Sequence, residues 1–426
     1  MDILSLFACF ELLLPNVAVR RFAVVAQALL TATGRMTMLS ISRWAEKGGS
    51  YRTVNRFFAT RLPWFELFAK FFETHLFNAE HEYIVAGDET IVSKSGKETF
   101  GVNRFFSGLK GKVIRGLSFF VVSLVDVAER KSYPLGVAQS VKSEAEKQVA
   151  KKSPKKKSKP RKASKGRGLG SRNRDKNELK FSPELGRINE LLVSILKLVR
   201  RFIKVKYLAM DGHFGHHQAV LMARLNELEL ISKLRKDAAL YEKYDGVYGG
   251  RGARKKYGAR LKYDILPLKY LRKSEREKDV ITNFYQGIFL HKEFGGELNV
   301  VIIVKINVKT KKRGHAILFS SDVELEWEKL VEYYSLRFQI EFNFRDAKQH
   351  FGLEDFMNQK EIGVENAANV SFMMILLSAK LIKNKQEKQL GINDLKTQYR
   401  GVKYAVLTLK KVLQKPQPIL MNQIIE

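Results

Sequence analysis

The order of strand-like and helix-like segments between residues 82 and 234 restricts this chain to a mixed α/β fold. Three consecutive segments have the apolar, β-branched composition of strands, at 83–87, 113–127 and 133–137. Neighbouring strands of this kind favour antiparallel pairing. A helix at 182–203 is then followed by a strand, a helix and a strand, at 206–210, 217–227 and 228–234. This alternation is typical of parallel pairing, so we predict a mixed sheet flanked by helices.

The first 80 residues have a helical pattern that ends where the strands begin. Apolar residues recur at three- and four-residue spacing over 12–30 and 36–47, and a Gly-Gly-Ser sequence interrupts the pattern at 48–50. Ser50 is suited to cap a helix over 51–60, which carries Arg52, Asn55 and Arg56. Such side chains can reach phosphates or base edges. We predict a helical N-terminal DNA-binding region at 1–80, although a plain helical bundle gives the same pattern.

The rest of the chain completes the domain plan. Residues 81–236 are predicted to form the first part of the α/β core, and 142–182 within it are basic, of low complexity and predicted to be disordered. Residues 237–320 read as a β-rich inserted subdomain, with strands at 281–291, 298–308 and 315–320. A helix within 321–352 completes the core. Residues 353–426 are predicted to be a helical C-terminal region, with helices at 363–384 and 402–414, that could serve dimerisation.

The net charge favours a polyanionic partner. Lys and Arg number 76 against 44 Asp and Glu, which gives a formal charge of +32. Residues 151–176 hold 13 of the basic residues and one Asp, so most of the excess lies elsewhere. Such a charge gives sequence-independent affinity for nucleic acid. An anionic membrane surface is the alternative, but we find no dominant basic amphipathic helix.

The apolar segments and the cysteine content indicate an intracellular protein. We find no run that approaches the roughly 18 to 20 apolar residues of a membrane span, and the N-terminus lacks the basic leader of a signal peptide. Cys9 is the single cysteine, which excludes an intrachain disulfide and a cysteine zinc site. We therefore expect a cytoplasmic location and no membrane partner.

Three acids could form a metal site. Asp88 and Asp211 each follow a short apolar strand, and ligands of α/β sheets bind at the carboxyl ends of strands. Glu341 lies on a helix that could pack on the same sheet. Three carboxylates suit Mg²⁺ or Mn²⁺, and two such ions can drive in-line displacement at phosphorus. Taken singly, each Asp could instead be a turn former or a helix cap, and Glu341 part of an exposed ion-pair ladder.

Around Glu341 the spacing places cations and an aromatic on one predicted helical face. Tyr334 precedes Arg337 by three residues, Arg337 precedes Glu341 by four, and Lys348 follows Glu341 by seven. Arg345 lies four residues after Glu341. Offsets of three, four and seven return side chains to the same face of one helix.

These residues resemble a known family, the insertion-sequence DDE transposases with the YREK signature, Tyr-x2-Arg-x3-Glu-x6-Lys. Tyr334, Arg337, Glu341 and Lys348 meet every spacing of that signature. The segment 88–97, which includes Lys94, resembles the family's first-Asp motif, and 208–212 resembles its second. The resemblance covers roughly residues 80 to 350.

The resemblance implies an RNase H-like core in which Asp88, Asp211 and Glu341 bind two Mg²⁺ ions. It also implies an enzyme that cuts transposon ends and joins the freed 3′-hydroxyl to target DNA. Tyr334, Arg337 and Lys348 would contact the DNA backbone, and Arg345 and Lys94 are further candidates for DNA binding. The expected assembly is a homodimer that bridges two DNA ends, on the nucleoid of a prokaryote. Two alternatives remain open: a noncatalytic DNA-binding descendant, and a metal-dependent nuclease without strand transfer.

Overall fold

A computed structural model describes residues 2–45, 48–108, 110–143, 146, 175–250, 252–385 and 390–412. It confirms the mixed α/β fold, since a large mixed sheet is flanked by helices and both terminal regions are helical. This architecture is consistent with an RNase H-like core. Most of the segment predicted to be disordered, 147–174, lies outside the described residues. Residues 175–182 do have defined contacts, such as the Lys180 amide donating to Gln218 Oε1 at 2.9 Å.

The described N-terminal helices pack around a core of phenylalanine rings. They are α1 (Ile3–Phe7), α2 (Asn16–Thr31), α3 (Met38–Trp44), α4 (Tyr51–Ala59) and α5 (Trp64–His75). As predicted, Ser50 caps α4, because its hydroxyl accepts the amide of Thr53 at 3.3 Å. This helix buries Val54, Phe57 and Phe58 and exposes Arg52, Asn55 and Arg56. The side chains predicted to contact DNA therefore face outward.

The antiparallel half of the sheet follows directly. Its strands are β1 (Tyr83–Ser93), β2 (Asn103–Ser107), β3 (Lys112–Asp126) and β4 (Lys131–Gln139), and β3 pairs with each of the other three. Our prediction that β1 ends before Asp88 is wrong. The pairing with β3 continues through Asp88↔Val121 to Ser93↔Gly116, so Asp88 lies inside a strand. The short strand β2 was not predicted.

The parallel half has the predicted strand–helix–strand order. It consists of α6 (Pro183–Val199), β5 (Tyr207–Met210), α7 (His217–Leu225) and β6 (Glu229–Leu234). Strand β5 lies between β1 and β6 and is parallel to both. The carboxyl ends of β1, β5 and β6, where α/β sheets bind ligands, therefore lie at the same edge of the sheet.

The β-rich segment 237–320 extends this sheet. Its strands are β7 (Leu240–Lys243), β8 (Tyr257–Arg260), β9 (Leu271–Glu277), β10 (Val280–His291), β11 (Glu297–Asn307) and β12 (Arg313–Ser320). Strand β12 pairs antiparallel with β6, and the sheet order is β2-β3-β1-β5-β6-β12-β11-β10-β7-β8. The segment predicted as a β-rich insertion is therefore hydrogen-bonded to the core sheet through β12.

Four further helices are described at the C-terminal end: α8 (Trp327–Leu336), α9 (Gln339–His350), α10 (Glu361–Lys383) and α11 (Ile392–Val412). By length and composition alone, α10 could cross a membrane, which corrects our statement that no segment approaches that size. However, 83% of its apolar window is buried inside the protein. It packs against β4, α4, α5 and α9, so it serves as the central core helix.

A buried lysine on α11 joins two other helices. Lys396 Nζ donates to the carbonyl oxygens of Leu29, near the end of α2, and His350, the last residue of α9, both at 2.8 Å. The last carbonyls of a helix lack intrahelical partners and carry a partial negative charge, which a cation neutralises. Lys396 therefore fixes the end of the helix that carries Glu341.

The burial of Lys396 predicts a pH-dependent stability. Burial lowers the pKa of Lys396 from 10.5 to about 8. Between these values the unfolded chain binds more protons than the folded chain, so the contribution of Lys396 to stability rises with pH. We compare the free energies of unfolding of wild type and Lys396→Met in urea. From about pH 7.5 to about pH 9.5, the value for wild type should rise relative to that of the variant by about 1 to 2 kcal/mol. The difference for the exposed control Lys410→Met should stay constant, and a constant difference for Lys396→Met would contradict this assignment.

Candidate active site

Asp88 and Asp211 lie side by side on adjacent strands. The parallel pairing of β1 with β5 ends at Gly87↔Met210, and each Asp is the next residue of its chain segment. As predicted, Asp211 follows the last residue of a strand. Its Oδ1 accepts the amide of His213 at 3.1 Å, which fixes the carboxylate at the start of the following turn.

Both carboxylates face the helices α8 and α9. Side chains two residues apart on a strand point to the same face. On β1 and β5, the residues two and four positions before each Asp belong to the apolar cluster that packs against α8, namely Ile84, Ala86, Tyr207 and Ala209. Asp88 and Asp211 continue these two rows, so the apolar contact ends where the acids begin.

Glu341 reaches this face from a helix pair rather than from the single helix predicted. Arg337 and Phe338 separate α8 from α9. At the break, the amides of Phe338, Ile340 and Glu341 bond to carbonyls three residues earlier, as in a 3₁₀-helix. Residues 334–348 therefore do not share one straight helical face, because the tighter turn changes the direction of the side chains around Arg337.

Arg337 lies between two of the acids. Its Nη1 is 2.6 Å from Asp88 Oδ2, and its Nη2 is 3.8 Å from Glu341 Oε1. The Arg337 and Asp88 side chains are only 12% and 19% exposed, so this ion pair is shielded from water, whereas the Glu341 side chain is 44% exposed. Breaking a buried pair by removing one partner typically costs about 3 to 5 kcal/mol. Arg337 therefore holds the start of α9 against β1.

The charges of the three acids act on one another. Burial raises the pKa of Asp88 to about 6, Arg337 opposes the rise, and the negative charges of Asp211 and Glu341 add to it. Asp88 Oδ1 also accepts the amide of Glu89 at 2.8 Å, which favours the charged form. A cation bound among the acids would relieve their mutual repulsion.

Tyr334 belongs to the same group. The guanidinium of Arg337 lies 5.8 Å from the centre of its ring. Burial raises the pKa of the Tyr334 hydroxyl, Arg337 lowers it, and the charge of Asp211 raises it further. Tyr334 thus borders the acids from the α8 side.

The remaining predicted residues lie further along or outside this group. Lys348 Nζ donates to the Ile91 carbonyl at 2.9 Å, three residues beyond Asp88 on β1. Lys94 donates to the carbonyls of Glu354 and Phe356 at 3.0 and 2.7 Å, so it is bound to the loop after α9. Arg345 is half-exposed and pairs with Asp346 at 2.9 Å. The structure therefore brings Asp88, Asp211, Glu341, Arg337 and Tyr334 together, but not Lys94 or Arg345.

One residue of this face was missed by sequence reasoning. Strands β5 and β6 pair through Ala209↔Ile231, so Lys233 lies opposite Asp211 one step beyond the apolar row. Ser232, beside it, donates its hydroxyl to the Asp211 carbonyl at 2.7 Å. The available signal was a cation near the end of a strand that is parallel to the strand preceding Asp211.

The residues at Asp88 fit a hard divalent cation. Three carboxylates supply only oxygen donors, which Mg²⁺ and Mn²⁺ prefer. In the described part of the chain, the most tightly clustered potential metal ligands are those of another group, His81, Asp126 and Glu129, whose ligand atoms lie within 4.8 Å of one another. This group lies near the start of β1, roughly 16 Å along the strand from Asp88. There, Asp126 pairs with His81 at 2.7 Å, and Glu129 binds both Tyr133 and Lys383. Each acid there has a cationic or hydroxyl partner of its own, whereas at the candidate site the charges of Asp211 and Glu341 raise the pKa of Asp88.

Comparison with known proteins identifies related families. Residues 6–280 match the family described as DDE superfamily endonuclease, and residues 187–377 match the family described as transposase DDE domain. The first match includes Asp88 and Asp211, and the second includes Asp211 and Glu341. No curated protein matches the chain.

Mutual repulsion among the acids predicts stabilisation by divalent metal. With metal at ten times its Kd, the folded state should gain about 1.4 kcal/mol, which raises Tm by about 1 to 3 °C. Thermal unfolding with Mg²⁺ or Mn²⁺ should show this rise in wild type. Asp211→Asn and Glu341→Gln should abolish it. The control Glu354→Gln, on a half-exposed acid beside Lys348, should keep it, and a rise that persists in both site variants would place the metal elsewhere.

Proposed function

This chain belongs to the DDE superfamily of endonucleases, and from that premise we propose that it is the transposase of an insertion sequence. It binds the ends of its own element, cleaves them at phosphodiester bonds and joins the 3′-hydroxyl ends to target DNA. The observation that carries the proposal is the meeting of Asp88, Asp211 and Glu341 on one face of the sheet, with Arg337 paired to two of them.

Asp88, Asp211 and Glu341 are the residues that would hold two Mg²⁺ or Mn²⁺ ions. When bound, these ions supply the Lewis acidity that activates the attacking hydroxyl and stabilises the leaving oxygen. The contribution of the chain is placement. The register of β1 with β5 sets the two Asp side chains, and the ion pairs of Arg337 set Glu341 against them.

Cations beside the acids are the proposed contacts to the DNA backbone. Arg337 presents a planar fork that matches phosphate as well as carboxylate, and Lys348 presents a point charge. Tyr334 borders the same space, and Arg345 is exposed further along α9. We assign these four residues to the phosphates near the cleavage site.

The N-terminal helices are the proposed site of end recognition. The exposed residues Arg52, Asn55 and Arg56 lie on α4, whose opposite face is buried. A dimer that bridges two DNA ends and works on the nucleoid in the cytoplasm of a prokaryote completes the proposal. The formal charge of +32 supports a polyanionic partner.

Isosteric amides test the catalytic assignment. Asp88→Asn, Asp211→Asn and Glu341→Gln should each reduce Mg²⁺-dependent cleavage by about 10³-fold or more, because the amide cannot replace a charged metal ligand. The substrate is linear DNA that carries the inverted repeats flanking the coding frame, and gel shift should show that the variants still bind it. Glu354→Gln serves as the matched control and should cleave normally.

The products distinguish this function from its alternatives. Joined strands that contain target DNA support a transposase, and cut DNA without joined product indicates a nuclease. Binding by wild type without any cleavage indicates a noncatalytic descendant. Undiminished cleavage by all three site variants would exclude these acids from the reaction.

A further inference from the structure

A second site lies beyond the acids, beside the turn of the β2–β3 hairpin and the first residues of β3. A cleft of about 700 Å³ separates this hairpin from the loop that follows β1. Four cations and two serine hydroxyls line it: Lys94, Lys110, Lys112, Arg115, Ser93 and Ser95. No acid lines the cleft among the described residues. Its lining therefore suits an anion with several oxygen atoms.

The exposed cations of this cleft have only neutral partners. Lys110 Nζ donates to Ser93 Oγ at 3.1 Å, and Arg115 Nη2 donates to the carbonyl of Gly96 at 3.4 Å. Within the described chain, neither these two residues nor Lys112 has a carboxylate within ion-pair distance. Arg115 also lies directly opposite Arg104 in the β2–β3 ladder, an unfavourable pairing of like charges. A bound polyanion would offset both costs.

The cleft lies further along β1 than the candidate active site. Ser93 lies five residues after Asp88 on the same strand, which corresponds to about 16 Å. Lys348, bound to the Ile91 carbonyl, lies between them. Burial lowers the pKa of Lys348, the charge of Glu354 opposes this shift, and the charge of Lys110 adds to it.

The distance of about 16 Å between Asp88 and Ser93 can be compared with the rise per nucleotide of DNA. One strand of B-DNA advances about 3.4 Å per nucleotide along the helix axis, so 16 Å corresponds to about five nucleotides. We propose that the cleft binds the phosphodiester backbone of DNA about five nucleotides from the phosphate that is cut. It holds the DNA by charge and hydrogen bonds and reads no sequence. The position of the cut phosphate rests on the proposed function, whereas binding in the cleft does not require cleavage.

Salt dependence of DNA binding tests the cleft directly. The probe is a labelled 30-base-pair duplex, used in two unrelated sequences and without metal, and anisotropy gives the association constant at several NaCl concentrations. The slope of log K against log[salt] is negative, and each lost phosphate contact reduces its magnitude by about 0.9, so Lys110→Ala/Lys112→Ala should reduce the magnitude by about 2. Both duplexes should lose affinity by the same factor. An unchanged slope, or a loss confined to one sequence, would overturn the proposal.

Two further variants exclude trivial causes. Lys197→Ala/Lys204→Ala removes two exposed lysines near the opposite end of β5 from Asp211 and should leave the slope nearly unchanged. Lys110→Arg/Lys112→Arg keeps the charges and should restore binding. Inorganic phosphate is the competing ligand of the same chemistry. If micromolar phosphate displaces the duplex from wild type, the cleft is a site for small anions and the proposal fails.

Neutral phosphates test the position. A methylphosphonate placed at the fourth to sixth phosphate from the cut should weaken binding of wild type but not of Lys110→Ala/Lys112→Ala. A wild-type effect confined to phosphates outside this window would refute the stated distance. If the magnitude of the salt slope falls in Lys110→Ala/Lys112→Ala while wild type cuts no DNA, binding of DNA in the cleft is supported and the proposed function fails.

Discussion

A short parallel ladder determines where the chemistry of this protein can take place. Strands β1 and β5 pair over three positions, Val85↔Leu208 to Gly87↔Met210, and both candidate Asp residues come next. A slip of one residue would turn Asp88 to the opposite face of the sheet, since side chains alternate. The ladder itself is too short to prevent this. The register is fixed by β3, which pairs with all eleven residues of β1 and places the ring of Phe120 so close to Gly87 that a Cβ there would lie about 3.0 Å from it.

The acids can be held together because one cation neutralises them. Buried ion pairs contribute little net stability, but removing one partner leaves a costly buried charge. Arg337 is therefore better explained as a positioning device, which links β1 to the start of α9 across the 3₁₀ break. Its fork can bind carboxylates in the free protein and a phosphate when DNA arrives, because both ligands present oxygen atoms in a similar geometry.

Local patterns in the sequence were sufficient to predict the helices and strands but not which strands pair with one another. The strands around β3, β5 and β6 and the Ser50 cap were predicted because alternation, apolar runs and capping chemistry act within a few residues. The extent of β1 beyond Asp88 depends on pairing with β3, and the junction of β12 with β6 joins residues about 85 positions apart. The break at Arg337 was also invisible, since spacing of three, four and seven fits a straight helix as well as an interrupted one. The candidate site could nevertheless be proposed from the sequence, because its signature depends on residue types and spacing that tolerate such a break.

Charge alone cannot locate the DNA on a protein this basic, but the partners of each cation can. Lys396 is buried and caps two helices, and Lys94 is bound to two loop carbonyls, so both charges serve the fold. Arg337 faces carboxylates and serves the acids. Lys110, Lys112 and Arg115 have neither buried carbonyls nor carboxylates to neutralise them among the described residues, and they line an open cleft. Cations of this last kind keep their full electrostatic field for an external polyanion, and their distance from Asp88 then sets how the DNA lies along β1.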